Sequence, residues 1–442
     1  MKQLIKIAGV AALGLASSQS ARAEMSGSSD GPKAWSISAT LRSFYDDNIF
    51  TVSENDRYQE KISSFGFEVA PAGQFSLARE QTSLALGYSY ALRHYEARTN
   101  GKIDQSHDAN LKLTHDFSSR IKLGVNDSFV SAQEPAITDG AGPSSATKRS
   151  EGDNLRNTAG INLAVGLTDS LELVGDVGST LYDYEQDASD PKLYIPAIGQ
   201  ALASRSALLD RHENSFGLNT RYQLLPSTVG VIGYRFTAIG YTSDEALNPA
   251  GLKKFFSKDR DSDKHDIFGG VDHTFNSQFS ASLRLGAEVV KYDPLNANAV
   301  ADDKAASPYV DARVSYAYRA KDAIILGVRH GYTQTDAGIA PGFIDTLVQN
   351  AETTSLYGQM SYHLTPSVTA SINGQYQHSE FQVANISGLA DDFYLFGLAA
   401  TYEINRFFSL EAGYNYDVLE SSFQAGRGYD RNRVFLGVRA QY

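Results

Sequence analysis

The chain contains no cysteine. That excludes disulfides, thiolate metal sites and a lipid anchor on a processed N-terminal cysteine. Proline is scarce, at 12 residues, and there is a single Trp. No stretch approaches eighteen consecutive apolar residues, so no membrane-spanning helix is encoded. Positive charge is outweighed, with 39 Lys and Arg against 51 Asp and Glu. Phosphate binding wants a basic stripe, so nucleic acid is excluded as a partner. Catalytic signatures are missing too. The nine His show no His-Glu-x-x-His spacing, and no Gly-x-Ser-x-Gly elbow occurs. The residues therefore point to no enzyme, no metal centre and no cofactor.

What the chain does have is glycine, 37 residues, and Tyr and Phe at 25 and 22. With a mean hydropathy of -0.30, this mixture suits many strands that face two different solvents. The N-terminus reads as an export leader over residues 1–23. Lys2 and Lys6 precede a short apolar core, and Ala21 and Ala23 form a small-x-small cleavage site. A periplasmic linker follows over 24–34, and a single barrel domain over 35–442.

Period two dominates from there on. Over Phe279–Val289 every odd position is apolar and every even one is polar or Gly. Val368–Gln377 alternates likewise, and Val434, Leu436, Val438, Ala440 and Tyr442 share one face of the last segment. Strands of a soluble sandwich average about five or six residues. These run to ten or more, the length that crosses a bilayer at a tilt.

Short connections at 117–120, 167–170, 225–228, 275–278, 319–322, 364–367 and 404–407, with a looser one around Pro71 to Gln81, alternate with nine long polar loops. Short turns on the periplasmic side and long loops outside are the asymmetry of outer-membrane barrels. Seventeen connections join eighteen strands, within a range of 16–20. The expected fold is an all-β, antiparallel, up-and-down transmembrane β-barrel with both termini periplasmic. Its place is the outer membrane of a Gram-negative bacterium, in contact with lipid and lipopolysaccharide.

The same alternation assigns a lumen face. Pore-lining candidates on it are Lys112, Lys122, Glu172, Asp176, Arg221, Arg284, Glu288, Asp311, Arg313, Arg329, Glu411, Arg433 and Arg439. A charge facing lipid near the midplane costs about 2–4 kcal/mol, so these turn inward. The mixed signs read either as a solvated, ion-paired wall or as a polar track for a solute. Tyr357 and Phe435, also inward, either stack on sugar faces or plug gaps. Helical patterns at Ile198–Leu209 and Pro341–Ala351 either constrict the lumen or cap the rim. The run Asp259–Asp263 reads as a solvated charge run.

The last strand ends in an aromatic, Tyr442, preceded by Ala440 and Gly437. This resembles the signal by which barrel-assembly machinery recognises its substrates. Arg42-Ser43-Phe44-Tyr45-Asp46-Asp47-Asn48-Ile49-Phe50, then Phe67 to Pro71 and Leu86-Gly87-Tyr88 with Tyr95, resemble the putative β-barrel porin 2 family. Members open with a Tyr-x-Asp-Asn-Ile-type segment and a strand ending in Pro, and many are linked to capsule or exopolysaccharide export. The resemblance implies an outer-membrane conduit for a secreted polysaccharide, a glycan, handed over by a periplasmic export protein. The first alternative is a general diffusion porin for small hydrophilic solutes, and the second a structural or adhesin-like barrel.

Overall fold

The computed structural model describes residues 34–53, 60–133, 138–139, 142–143, 153–190, 193–195, 200–249, 251, 254–293, 303–339, 346–423 and 427–442. The leader, its cleavage residues Ala21 and Ala23, and the linker up to residue 33 lie outside them.

Eighteen strands form one sheet: β1 (Trp35–Asp46), β2 (Ser64–Ala78), β3 (Thr82–Tyr95), β4 (Ile103–Asp116), β5 (Ile121–Ala132), β6 (Asn154–Gly166), β7 (Leu171–Tyr184), β8 (Arg211–Leu225), β9 (Thr228–Tyr241), β10 (Ser262–Thr274), β11 (Phe279–Tyr292), β12 (Lys304–Tyr316), β13 (Ile324–Thr333), β14 (Val348–Thr365), β15 (Val368–Val383), β16 (Ala390–Glu403), β17 (Phe408–Ser421) and β18 (Tyr429–Gln441). Each pairs antiparallel with its neighbours in sequence, and β1 pairs with β18 from Ser38↔Gln441 to Asp46↔Arg433, so the sheet closes. Closure leaves no strand edge facing hydrocarbon, where unpaired backbone costs several kcal/mol per group.

The alternation read from the sequence sorts side chains as expected. Ile232, Ile267 and Leu436 are more than 60% exposed, an arrangement that only a lipid-facing outer wall makes favourable. Tyr88, Tyr316, Tyr394, Phe396 and Tyr402 are also exposed on that face and supply interfacial aromatics. Tyr95, Tyr182 and Tyr184 do not join them. They fall on the inner parity, where Tyr95 and Tyr182 each carry an arginine over the ring, Arg98 and Arg211, both at 3.9 Å.

Glycine has an inner-wall use. At Gly327 an added Cβ would lie 2.3 Å from Tyr357, and at Gly413 the same distance from Phe435. Each ring lies flat across the neighbouring strand, so Tyr357 and Phe435 fill the wall rather than stand free in the lumen.

Seven short turns fall where the spacing put them. The eighth is a correction: β2 runs on through Pro71 to Ala78, and the turn is Arg79 to Gln81. Pro71 stays inside the strand because β1 pairs with it, while pairing to β3 stops at Val69↔Leu92 and resumes in the same register at Ala72↔Ser89, since proline has no N–H to give.

Candidate functional site

By strand parity all thirteen candidate residues fall on the inner wall, but they do not form one site. Near the periplasmic mouth four charges are linked in a row. Arg221 bonds Glu172 at 3.3 Å and Asp272 at 3.1 Å, and Asp272 accepts from Arg284 at 2.7 Å. Register then sets Asp311 opposite both Arg284 and Arg329, and places Arg313 two positions further along β12.

Across the barrel Glu411 accepts from Arg42, which also reaches Glu68 at 2.9 Å; Arg433 meets Asp417 at 3.4 Å, and Arg439 donates to Ser38 at 3.3 Å. Asp176 accepts from Asn219 at 3.3 Å. Lys112 stands opposite Asn126, and Lys122 opposite Asp116. Asp176 and Glu288 are buried, so they brace the wall instead of meeting solvent. Glu288 binds Lys264 at 2.7 Å, a lysine the sequence reading passed over.

The strongest arrangement lies at the outer mouth, where the sequence offered only loops. The connection after β13 is gripped at two adjacent residues. Arg260, from the β9–β10 connection, donates to the Thr335 carbonyl at 2.7 Å, to the Tyr241 hydroxyl at 2.5 Å and to the Leu208 carbonyl at 3.2 Å. Arg427, from the β17–β18 connection, donates to Asp336 and, at 2.7 Å, to Asp391. Tyr241 and the β17–β18 arginine thus approach from points eight strands apart in a ring of eighteen. A segment held from both points reaches across the mouth.

Apolar contacts consolidate this cap. Ala207, Leu247, Phe255 and Leu347 form one buried cluster, with Leu208 and Ile339 against it. Ala337, Val348, Ala351, Phe381, Val383 and Phe423 form a second. With Ile386 and Leu389 of the β15–β16 connection packed against the second cluster, five of the outer connections contribute to the cap. Burial alone would push the Arg427 guanidinium down, and Asp336 and Asp391 outweigh it, so its pKa stands above the ordinary value. Arg205 moves the other way, lowered by burial that the nearby Asp336 only partly offsets. Both arginines stay charged and hold the acids.

Three expectations about the loops change. The helix of the β7–β8 connection is short, α1 (Arg205–Leu209), capped by Ser204, whose hydroxyl accepts from the Ala207 amide at 2.9 Å. The Pro341–Ala351 pattern is extended where it is described: Ile339 bridges Leu347 and Val348 opens β14 opposite Val383. Pairing to β15 overrides helical spacing there. The acids of Asp259–Asp263 are not a loose solvated run either. Asp259 accepts from the Phe256 amide at 2.8 Å and Asp261 from the Tyr241 amide at 2.6 Å, with Arg260 fully buried between them.

Asp210 gives the cap a pH dependence. Its carboxylate accepts from the Tyr184 amide and the Ser206 hydroxyl, both at 2.7 Å, yet burial pushes its pKa up to about 6 from an ordinary 3.8. A carboxyl with a raised folded-state pKa favours the packed state when protonated, so packing tightens as pH falls through about 6 and loosens above it. Amide hydrogen exchange across α1 is expected to slow up to about tenfold between pH 7.5 and pH 5 after correction for intrinsic rates. Asp210→Asn should remove that difference, and an unchanged difference in the variant would assign it elsewhere.

Residues 258–442 match the family described as Putative beta-barrel porin 2. The family resemblance is thereby borne out over β10 to β18, whereas the motifs that suggested it stand in β1 to β3, outside the matched stretch. No curated protein sequence matches the chain. Among solved structures it is similar to OccAB4 of Acinetobacter baumannii, at 14% identity and a TM-score of 0.43, over 94% of this chain and 100% of that one. OpdK of Pseudomonas aeruginosa, an outer membrane protein, aligns at 12% identity and 0.44, over 92% and 99%, and has also been crystallised with vanillate.

Proposed function

We propose that this outer-membrane β-barrel porin is a passive diffusion channel for small hydrophilic solutes, narrowed at its outer mouth by the arginine-held cap. The observation that carries the reading is the double grip on Thr335 and Asp336 from points eight strands apart. An eighteen-stranded barrel encloses a water-filled lumen. Conduction of an extended glycan requires that the loops leave the lumen free, and here a packed segment reaches across it. The cap therefore favours small-solute diffusion over polysaccharide export, the reading that the family resemblance implied.

The wall adds a second point. Its inner charges alternate in sign and are largely paired, as in the row Glu172, Arg221, Asp272 and Arg284. Between them, β15 turns Ser371, Asn373, Gln375, Gln377 and Ser379 inward without one charge. Such a wall lacks the single-sign ring that makes a strongly ion-selective pore.

Purified protein in liposomes is expected to pass arabinose quickly, trisaccharides slowly and long dextrans not at all. Cation and anion permeabilities in planar bilayers should agree within about a factor of three. Steady passage of a dextran, or loss of surface polysaccharide on deleting the gene, would return the export reading.

A further inference from the structure

One ladder of the wall stops well short of the outer ends of its two strands. The ladder between β12 and β13 runs from Tyr316↔Ile324 only as far as Val310↔His330. Both strands continue beyond it, β12 outward to Lys304 and β13 to Thr333, each still paired on its other side up to Lys291↔Lys304 and Thr333↔Ala351. Two features account for the parting. Pro308, two residues past the last pair, has no N–H to donate to a neighbour. Beyond His330 the backbone of β13 turns into the lumen, where the Tyr332 amide donates to the Glu288 carboxylate at 3.0 Å, two strands away on β11. Lys264 secures that carboxylate, and the Tyr332 ring packs with Val290 and Tyr292 against Ala305.

Side chains rather than backbone pairs close the seam. Ser307 on β12 donates to Glu352 on β14 at 2.7 Å and lies 3.0 Å from His330 Nε2, which also meets Glu352 at 3.0 Å. Thr354 holds the other ring nitrogen of His330 at 2.8 Å. Ser307 is buried, while His330 and Glu352 keep about a quarter of their side-chain surface exposed. On its β12 side the seam borders the lipid-facing wall, where Pro308 and Ala306 are exposed and Pro308 lies in line with Ala287 and Ile267, while His330, Thr354 and Glu352 hold the β13–β14 side. It is apolar on the lumen side too, where Val290, Tyr292 and Tyr332 gather. A hydrogen-bonded sheet costs far more to open than three side-chain contacts do.

We infer that this seam is a lateral portal between the lumen and the outer leaflet, for small molecules with an apolar body and one polar group. The apolar body slides between Tyr332 and the exposed Pro308 of β12, and the polar group exchanges hydrogen bonds with Ser307, His330 and Glu352. This route is separate from axial diffusion, and the two can be measured apart. The test uses the double variant Ser307→Cys with Glu352→Cys, bridged in the folded barrel by a short, reducible bis-thiol reagent. Each single variant serves as control.

In intact cells, entry of 1-N-phenylnaphthylamine, an apolar body bearing one amine, is expected to fall about tenfold on bridging and to recover on reduction. Arabinose swelling of proteoliposomes should be unchanged by the bridge. Undiminished entry of the apolar probe overturns the portal. So does an equal loss of both solutes, which would make the seam a structural joint of the axial channel. Loss of arabinose flux in the unbridged protein would count against the diffusion channel alone.

Discussion

Replacing Arg431 by Met is expected to cost the folded barrel about 3–5 kcal/mol, the usual penalty for stripping one partner from a buried ion pair. Arg431 and Asp46 are both fully buried. Arg431 Nε lies 3.0 Å from each Asp46 oxygen and Nη2 is 2.5 Å from Oδ2. The pair sits where the sheet closes, at the outer end of the β1–β18 ladder. Its neighbours stitch the same joint. Asp47 accepts from the Asn432 amide at 2.7 Å and from its side chain at 2.8 Å, and Asn48 donates to the Asp430 carbonyl at 2.9 Å. Loss of Arg431 leaves a dry carboxylate in the one ladder that joins residues nearly four hundred positions apart in the chain. Urea unfolding of the refolded barrel, followed by its shift in electrophoretic mobility, measures the loss. The double variant Asp46→Leu with Arg431→Leu should recover most of it, since removing both charges removes the desolvation penalty. A change below about 1 kcal/mol in the single variant would reduce this joint to an ordinary surface pair.

That joint shows how the sequence can be right about a residue and silent about its work. Asp46-Asp47-Asn48 stands out as a family-like segment, and its local reading is the end of a strand and the start of a loop. Asp46 does end β1. Its partner lies on the last strand, and no local pattern links the two.

Wherever one physical rule governs a long stretch, the reading was direct. Alternation along β11 and β18 follows from one wet face and one lipid face, so facing, strand count and turn side were all legible. Pro71 was misread because turn statistics describe a proline's neighbours in sequence, while its place inside β2 depends on β1. The cap was the least legible part. Arg260 ends a single 3-10 turn, Ser257–Arg260, and Arg427 lies in a short connection, so neither has a period to read, and their partners Thr335 and Asp336 come from a third connection. Lys264, by contrast, could have been found, since it shares the inner parity of β10 with Asp266 and Asp272.

The cap also yields the clearest functional test. Arg427→Met is expected to raise single-channel conductance about two- to threefold and to admit larger saccharides. Arg427 ties Asp336 to Asp391 with two different guanidinium nitrogens. Without it, the two buried carboxylates lose the cation that joins them, and they relieve that cost by separating or by taking up protons. Separation frees one side of the segment that reaches across the mouth, while Arg260 still holds the other. A penalty of about 3–5 kcal/mol is enough to shift a closed-to-open ratio by more than two orders of magnitude.

Arg427→Lys should not restore the closed state, because a single ammonium cannot span two carboxylates with the planar fork that Arg supplies. The stability of the barrel should change much less than in the Arg431 variant, since no ladder between strands includes Arg427. Wild-type conductance and an unaltered size limit in Arg427→Met would show that the cap does not control passage, and the narrowing would then have to lie deeper, along the paired charges of the wall.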